Sequence, residues 1–382
     1  MLALVTEEGG PTAHTAIVAR TLGIPAVVRC AGVLALPDGV TVAVDGGAGT
    51  VRVEPDETDL AALTARENER RTSLARSSGP GRTADGHAVP LLANIGSAAD
   101  LTGAAADGAQ GVGLFRIELL YHDRTTPPTM DEQVAAYAAV FTAAAGRRTV
   151  VRTLDAGADK PLRYLAQAPE PNPALGIRGI RLGWQRPEIL RTQLEAIAAA
   201  ASATSADVWV MAPMVATAAE AARFHGYCRQ AGLPTAGVMV EIPAAALNAS
   251  SLLSEVDFLS IGTNDLSQYT FAADRQCGEL AELLDPWQPA LLALLATCAR
   301  AGRVAGKPVG VCGEAAADPA LAVVLTGLGI TSLSMAPRSI PPVREALARH
   351  TRQQCQRLAA DVLAAPDAAT ARALAPTGVG PR

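Results

Sequence analysis

Aromatic side chains are scarce in this chain of 382 residues, at 3% (five Phe, five Tyr and three Trp). That leaves no platform of stacked rings for bases or sugars, and the core has to be built from small aliphatic side chains. No run of Lys and Arg could follow a nucleic-acid backbone, and the formal net charge is −5, from 32 basic and 37 acidic residues, so no nucleic-acid partner is expected. The six cysteines, Cys30, Cys228, Cys277, Cys298, Cys312 and Cys355, are widely spaced without a Cys-x-x-Cys pair. This usage fits reduced cytoplasmic thiols better than a disulfide or zinc framework. The N-terminus has no charged segment followed by a long apolar one, and nowhere does an apolar run reach spanning length, so neither export nor membrane insertion is expected.

Apolar residues make up 49%, ample for a core, and the length suits one large domain with a smaller companion. Short β-type runs at 2–5, 26–28, 40–44 and 51–53, with a helical stretch at 12–22 and a Gly-rich connection at 45–49, predict a partial α/β unit over 1–54. Charged and Ala/Leu residues over 56–76 predict an exposed helix, and the Gly/Ser/Pro-rich 77–86 completes a linker of 55–86. Beyond it, eight β-type runs alternate with helical stretches, at 91–95, 111–115, 149–152, 208–211, 237–240, 258–261, 309–311 and 332–335. That alternation predicts an α/β fold with a closed (β/α)8 barrel over 87–350, a doubly wound sheet being the competing topology. A helical extension and a disordered tail are expected over 351–382, the disorder from about residue 364.

Polar clusters fall directly after these strands: Arg116 and Glu118, Arg152 and Asp155, Glu241, Asn264 and Asp265, Cys312 and Glu314. Strand ends of one barrel converge at its C-terminal mouth, although loop solvation alone accounts for any single one of them. Glu241 and Asp265 end neighbouring strands and suit one hard divalent cation, magnesium by default, an ion pair being the competing reading of either. Arg116, Arg152 and Arg275 lie in three loops, and guanidinium forks match phosphate and carboxylate oxygens. Arg178 and Arg181 read more readily as surface or helix ion pairs, and Lys160 as a residue that orients its loop. Cys312 alone reads as a buried structural thiol, but beside Glu314 it is a candidate acid. His14 follows a Gly-Gly-Pro-Thr run and precedes a helix, a setting whose N–H groups favour an anion. The other four histidines have no such setting.

The segments 9–20 around His14, Gly113-Leu-Phe-Arg116, 151–155, Asn172-Pro-Ala-Leu-Gly176, Val238-Met-Val-Glu241, 263–270, Asp274-Arg275, Gly310-Val-Cys-Gly-Glu314 and Ser332-Leu-Ser-Met335 resemble the phosphoenolpyruvate-utilising enzymes. Among these they look most like enzyme I of the bacterial sugar phosphotransferase system. The resemblance covers about residues 1 to 348 and implies a TIM barrel that binds phosphoenolpyruvate, preceded by a partial swivelling phosphohistidine domain. It implies that His14 is phosphorylated on Nε2, that Arg116, Arg152, Asn264 and Arg275 contact substrate, and that Glu241 and Asp265, the latter also facing substrate, hold Mg2+. It implies Cys312 as the proton donor that yields pyruvate, the phosphocarrier protein HPr as acceptor, and a homodimer formed through the barrel. Family members begin well upstream of the position matching Met1, so the phosphocarrier docking region is expected to be missing, as in a fragment or a displaced start. Ala13 and Ile117 depart from the family's Ser and Thr without touching a matched ligand. The competing functions are a fragment of a pyruvate phosphate dikinase or phosphoenolpyruvate synthase, and a non-catalytic, dimerising regulator that binds phosphoenolpyruvate.

Overall fold

The computed structural model describes residues 2–8, 19, 24–46, 49–76, 78–121, 124–159, 161–165 and 168–375. His14, with nearly all of the helix expected over 12–22, and Lys160 lie outside the described residues. In the N-terminal part, β1 (Leu4–Val5) pairs in parallel with β2 (Ala26–Val27), and β3 (Val42–Asp45) pairs antiparallel with β4 (Thr50–Val53). The predicted exposed helix is present as Glu57–Arg76.

Eight further strands follow: β5 (Leu91–Ile95), β6 (Val112–Phe115), β7 (Arg148–Arg152), β8 (Asp207–Ala212), β9 (Ala236–Val240), β10 (Phe258–Ile261), β11 (Val309–Val311) and β12 (Ser332–Met335). All pair in parallel with their chain neighbours, and β12 returns to β5 through Leu333↔Leu91 and Ser334↔Leu92, closing the barrel. Closure excludes the doubly wound sheet, which would leave two edges.

The strand and helix boundaries follow from local chemistry. Four helices start at capping boxes, Ser97 with Asp100, Thr129 with Glu132, Thr217 with Glu220 and Thr351 with Gln354, and others carry Pro in the first turn, among them Pro187, Pro289 and Pro319. Each arrangement answers a helix's unpaired first N–H groups, by accepting from them or by removing one. Along the strands, one alternation packs against the helices, and the other fills the barrel interior with Leu114, Val150, Met211, Met239, Phe258 and Cys312. At the floor, the Arg148 guanidinium sits 4.0 Å from the Trp209 ring centroid, and Trp209 packs on Phe258 at 4.8 Å.

The expectation of disorder from about residue 364 does not hold for 364–375. Asp367 caps a helix at Ala368–Ala373 by accepting from Thr370 N at 2.7 Å, Ala368 and Ala371 are buried, and Arg372 pairs with Asp285 at 2.7 Å. A low-hydrophobicity tail docks here because alanines one turn apart let the helix approach closely, and because Arg372 lies over Trp287, at 5.5 Å.

Trp287 is fully buried and its Nε1 donates to Asp318 at 3.0 Å, while Asp318 also caps the helix Pro319–Leu328. Trp287→Ala is expected to lower stability by about 3–5 kcal/mol through the cavity it leaves. Trp287→Phe should lose about 1–2 kcal/mol, chiefly the hydrogen bond. Urea unfolding followed by circular dichroism checks both values.

Candidate active site at the barrel mouth

The C-terminal ends of β6, β7, β9, β10 and β11 carry Arg116, Arg152, Glu241, Asn264 with Asp265, and Cys312. These side chains form one electrostatically connected group. Arg116 is exposed, and its backbone N–H is fixed to Ile95 O at 2.8 Å. Dehydration and then Arg152 push its guanidinium below the usual value, while Glu314, Glu118 and Cys312 oppose them. Arginine still stays charged at any working pH.

Arg152 is buried below Arg116. Its Nη2 donates to Glu118 Oε1 at 2.8 Å, its Nη1 lies 3.4 Å from Asp155 Oδ2, and its Nε is buried without a hydrogen-bond partner among the described residues. Burial works against its charge, but Glu118, Asp155 and Glu241 outweigh that effect and raise its pKa. Glu118 therefore belongs to the site, through Arg152 and through Asp155 N at 3.2 Å. In the sequence it stood out only as a polar residue after a strand.

The largest correction concerns Arg178, which is no surface ion pair. It is 0% exposed and grips Asp155 with two parallel contacts of 3.1 Å. Its Nη1 reaches Asp265 Oδ1 at 3.0 Å, Asp159 Oδ2 at 3.3 Å and Tyr269 Oη at 3.4 Å. Desolvation opposes this charge too, but Asp155 and Asp265 reverse the balance and raise its pKa. The signal in the sequence was weak, because Gly-Ile-Arg-Gly alone gives no hint of a tertiary partner. Arg181 forms no ion pair among the described residues; its Nη1 donates to Leu175 O and Gly176 O at 3.1 and 3.0 Å, stapling the preceding loop.

Glu241 is 1% exposed and accepts from Met214 N at 2.9 Å, where Met214 is held at a φ of 60°. Gly262 makes room for this carboxylate, since a Cβ there would stand 2.8 Å from Glu241 Cγ. Burial raises the Glu241 carboxyl above its ordinary 4.5, Asp265 and Asp155 raise it further, and Arg152 and Arg178 pull it back. Asp265 also faces Arg275 Nη1 at 3.5 Å. Two buried carboxylates whose charges oppose each other form a hard oxygen donor set that a divalent cation would relieve. Among the described residues no group of three or more His, Cys, Asp and Glu is placed to hold a metal by itself, so such an ion would take its other oxygens from substrate and water.

Asn264 Oδ1 accepts from Glu314 N at 3.0 Å, joining the β10 and β11 loops. Cys312 is 2% exposed, its Sγ donates to Ile261 O at 3.5 Å, and burial pushes its thiol up to about 11. It is therefore protonated at neutral pH. The described site thus unites Arg116, Arg152, Glu241, Asn264, Asp265, Arg275 and Cys312, all first singled out in the sequence. It does not include His14, for the reason given above.

Together the fold and the mouth define a (β/α)8 barrel with an arginine cluster beside a buried carboxylate pair. The chain matches the family described as PEP-utilising enzyme, PEP-binding domain, over residues 72–352, and the one described as PEP-utilising enzyme, mobile domain, over residues 1–49. It is 56% identical over 377 residues to a phosphoenolpyruvate-protein phosphotransferase of Streptomyces coelicolor, covering 98% of this chain and 68% of that relative. It is 42% identical over 376 residues to the phosphotransferase of Geobacillus stearothermophilus, covering 94% and 64%. It is 40% identical over 386 residues to a multiphosphoryl transfer protein of Xanthomonas campestris, covering 98% and 46%. The chain belongs to the phosphoenolpyruvate-protein phosphotransferase family of PEP-utilising enzymes, and spans about two thirds or less of the length of these relatives.

Removing Arg178 leaves Asp155 and Asp265 buried beside each other, so Arg178→Met is expected to lose about 3–5 kcal/mol, the usual result of breaking a buried ion pair from one side. Thermal unfolding measures this. Glu241 gives a second test. Because its folded pKa is raised, the folded state holds the proton more tightly, so stability should fall as pH rises from about 4.5 through the raised value. Glu241→Gln should flatten that dependence in melting temperatures recorded from pH 4 to 9.

Proposed function

We propose that this chain moves a phosphoryl group from phosphoenolpyruvate to His14, releasing pyruvate, and that the group passes on to the phosphocarrier HPr. The observation that carries this reading is the arginine group at one barrel mouth, with Arg152 beside Glu241, Arg275 beside Asp265, and Arg116 next to Arg152. Phosphoenolpyruvate is a small, densely charged anion, and guanidinium forks with a divalent cation meet its phosphate and carboxylate oxygens. The names of the relatives support phosphoenolpyruvate as donor and a protein as acceptor.

In this reading Glu241 and Asp265 hold Mg2+, which supplies positive charge to the transferring group when bound. Arg116, Arg152 and Arg275 seat the substrate, Arg152 from the buried side, and Asn264 and Asp265 add polar contacts. Glu118, Asp155 and Arg178 fix these groups without touching the ligand. Cys312, kept as a thiol by burial, gives its proton to the enolate carbon as pyruvate forms. His14 as acceptor rests on its Gly/Thr setting and on the match to the mobile domain. The reading includes a swivelling unit over 1–54, a linker over 55–86, a barrel over 87–350 with its extension, a cytoplasmic location and homodimerisation through the barrel. No helix among the described residues is long and apolar enough to cross a membrane.

Incubation with Mg2+ and phosphoenolpyruvate labelled in its phosphate is expected to place acid-labile label on His14 and to release pyruvate, with His14→Ala losing both. Substrate binding without label would favour the regulatory reading instead. Cys312→Ala should slow pyruvate formation by about 10²-fold or more, the usual contribution of a positioned acid, with substrate affinity held within a few-fold. Equal rates would remove Cys312 from the reaction.

A further inference from the structure

An acid that gives up its proton once per turnover has to regain it, and the described surroundings of Cys312 hold one marked path for that proton. Above Phe258, the inward positions of β10, β11 and β12 are small: Ser260, Gly310 and Ser332 stand at one level, paired Ser260↔Gly310 and Gly310↔Ser332, with Cys312 and Ser334 at the next level towards the mouth. The opposite wall of the interior is apolar, formed by Leu114, Val150, Met211 and Met239. The hydroxyls fit because glycines face them. A Cβ at Gly310 would stand 2.6 Å from Ser332 Oγ, and one at Gly113 would stand 2.4 Å from Ser334 Oγ.

These hydroxyls meet Cys312 in two ways. Ser334 donates to Asn94 Oδ1 at 2.6 Å, and Asn94 Nδ2 donates to Cys312 O at 3.0 Å, which fixes the backbone of the cysteine. Ser260, 6% exposed, stands one level below Cys312 on the neighbouring strand, next to the Ile261 carbonyl that accepts from the thiol at 3.5 Å, and its hydroxyl is in hydrogen-bonding reach of the sulfur. A cavity lies on the far side of Ser260. Its volume of about 20 Å³ has room for a single water, with Ser260, Ser332 and Ser334 in its lining, and it extends to the partly exposed Arg148, Trp209 and Pro308 at the floor. Although most of the lining is apolar, its three hydroxyls give one water the two to four partners it needs. The mouth is a poor source by comparison, because substrate and product occupy it during the reaction.

We propose that the Cys312 thiol is reprotonated from the floor of the barrel through the Ser260 hydroxyl, which makes Ser260 a positioning and relay residue. This rests on Cys312 being the acid. As the C–H bond forms at the methylene carbon of the enolate, the S–H bond breaks and leaves a thiolate. The Ser260 O–H proton moves to sulfur while its oxygen takes a proton from a cavity water, and solvent buffer neutralises the resulting hydroxide. The net change is one solvent proton consumed per pyruvate formed.

Exchange of the pyruvate methyl hydrogens in D2O, followed by proton NMR with the full chain and Mg2+, runs this step in both directions. Ser260→Ala is expected to slow exchange by about tenfold or more with pyruvate affinity, measured by calorimetry, within twofold of the original. Ser260→Thr, which restores the hydroxyl, should recover most of the rate, and Ser332→Val, which fills the floor, should slow exchange in the same direction. Exchange at the original rate in Ser260→Ala overturns the proposal. So does a loss of affinity that parallels the loss of rate, or an unaffected Ser332→Val. Cys312→Ala separates the two layers of the argument: exchange that persists there overturns the acid reading itself, whereas loss in Cys312→Ala with full exchange in Ser260→Ala overturns the relay alone.

Discussion

The rest of the mouth depends on a single guanidinium with no access to water. Arg178 ties Asp155, on the loop after β7, to Asp265, on the helix after β10. Without that positive charge, three buried carboxylates, Asp155, Glu241 and Asp265, would share one small volume and would be driven to protonate or to separate. With it, Asp155 is fixed, Arg152 gains a partner, and the Asp265 carboxylate is held beside Glu241. The barrel brings these residues near one another, and the network turns their proximity into a fixed geometry.

Within that frame the site has two electrostatic layers. The upper one is cationic and open, with Arg116 and Arg275 partly or fully accessible; the lower one is anionic and dry, with Glu241 and Asp265 buried. An anion enters against the first and brings its oxygens to whatever cation sits on the second. The inner wall behind them is divided again, apolar on one side and lined with small hydroxyls on the side that supports Cys312. The division has a simple steric origin: glycines at 113 and 310 leave the space into which serines project.

The strand pattern was legible because each barrel strand is a short apolar run between helical stretches, and all eight barrel strands end within one residue of the predicted bounds at both sides. The polar residues after the strands were legible for a related reason, since in a parallel barrel all such positions share one face. What escaped the sequence was of two kinds. Arg178 and Glu118 act through partners tens of residues away, and neither periodicity nor composition carries that information. The helix Ala368–Ala373 forms because Trp287, Asp285 and the caps receive it, so its own weak hydrophobicity pointed the wrong way.

The sequence by itself determined the alternation of strands and helices, the clustering of Arg, Glu, Asp and Cys after strands, and the Gly/Thr setting of His14, because each of these is written in consecutive residues. Tertiary structure alone decided which arginine is buried, which carboxylates share one charge, and that Ser260 neighbours Cys312 and lines a small cavity at the floor. Those outcomes depend on closure of the barrel, which brings β5 and β12 into register and dehydrates side chains that the chain keeps far apart.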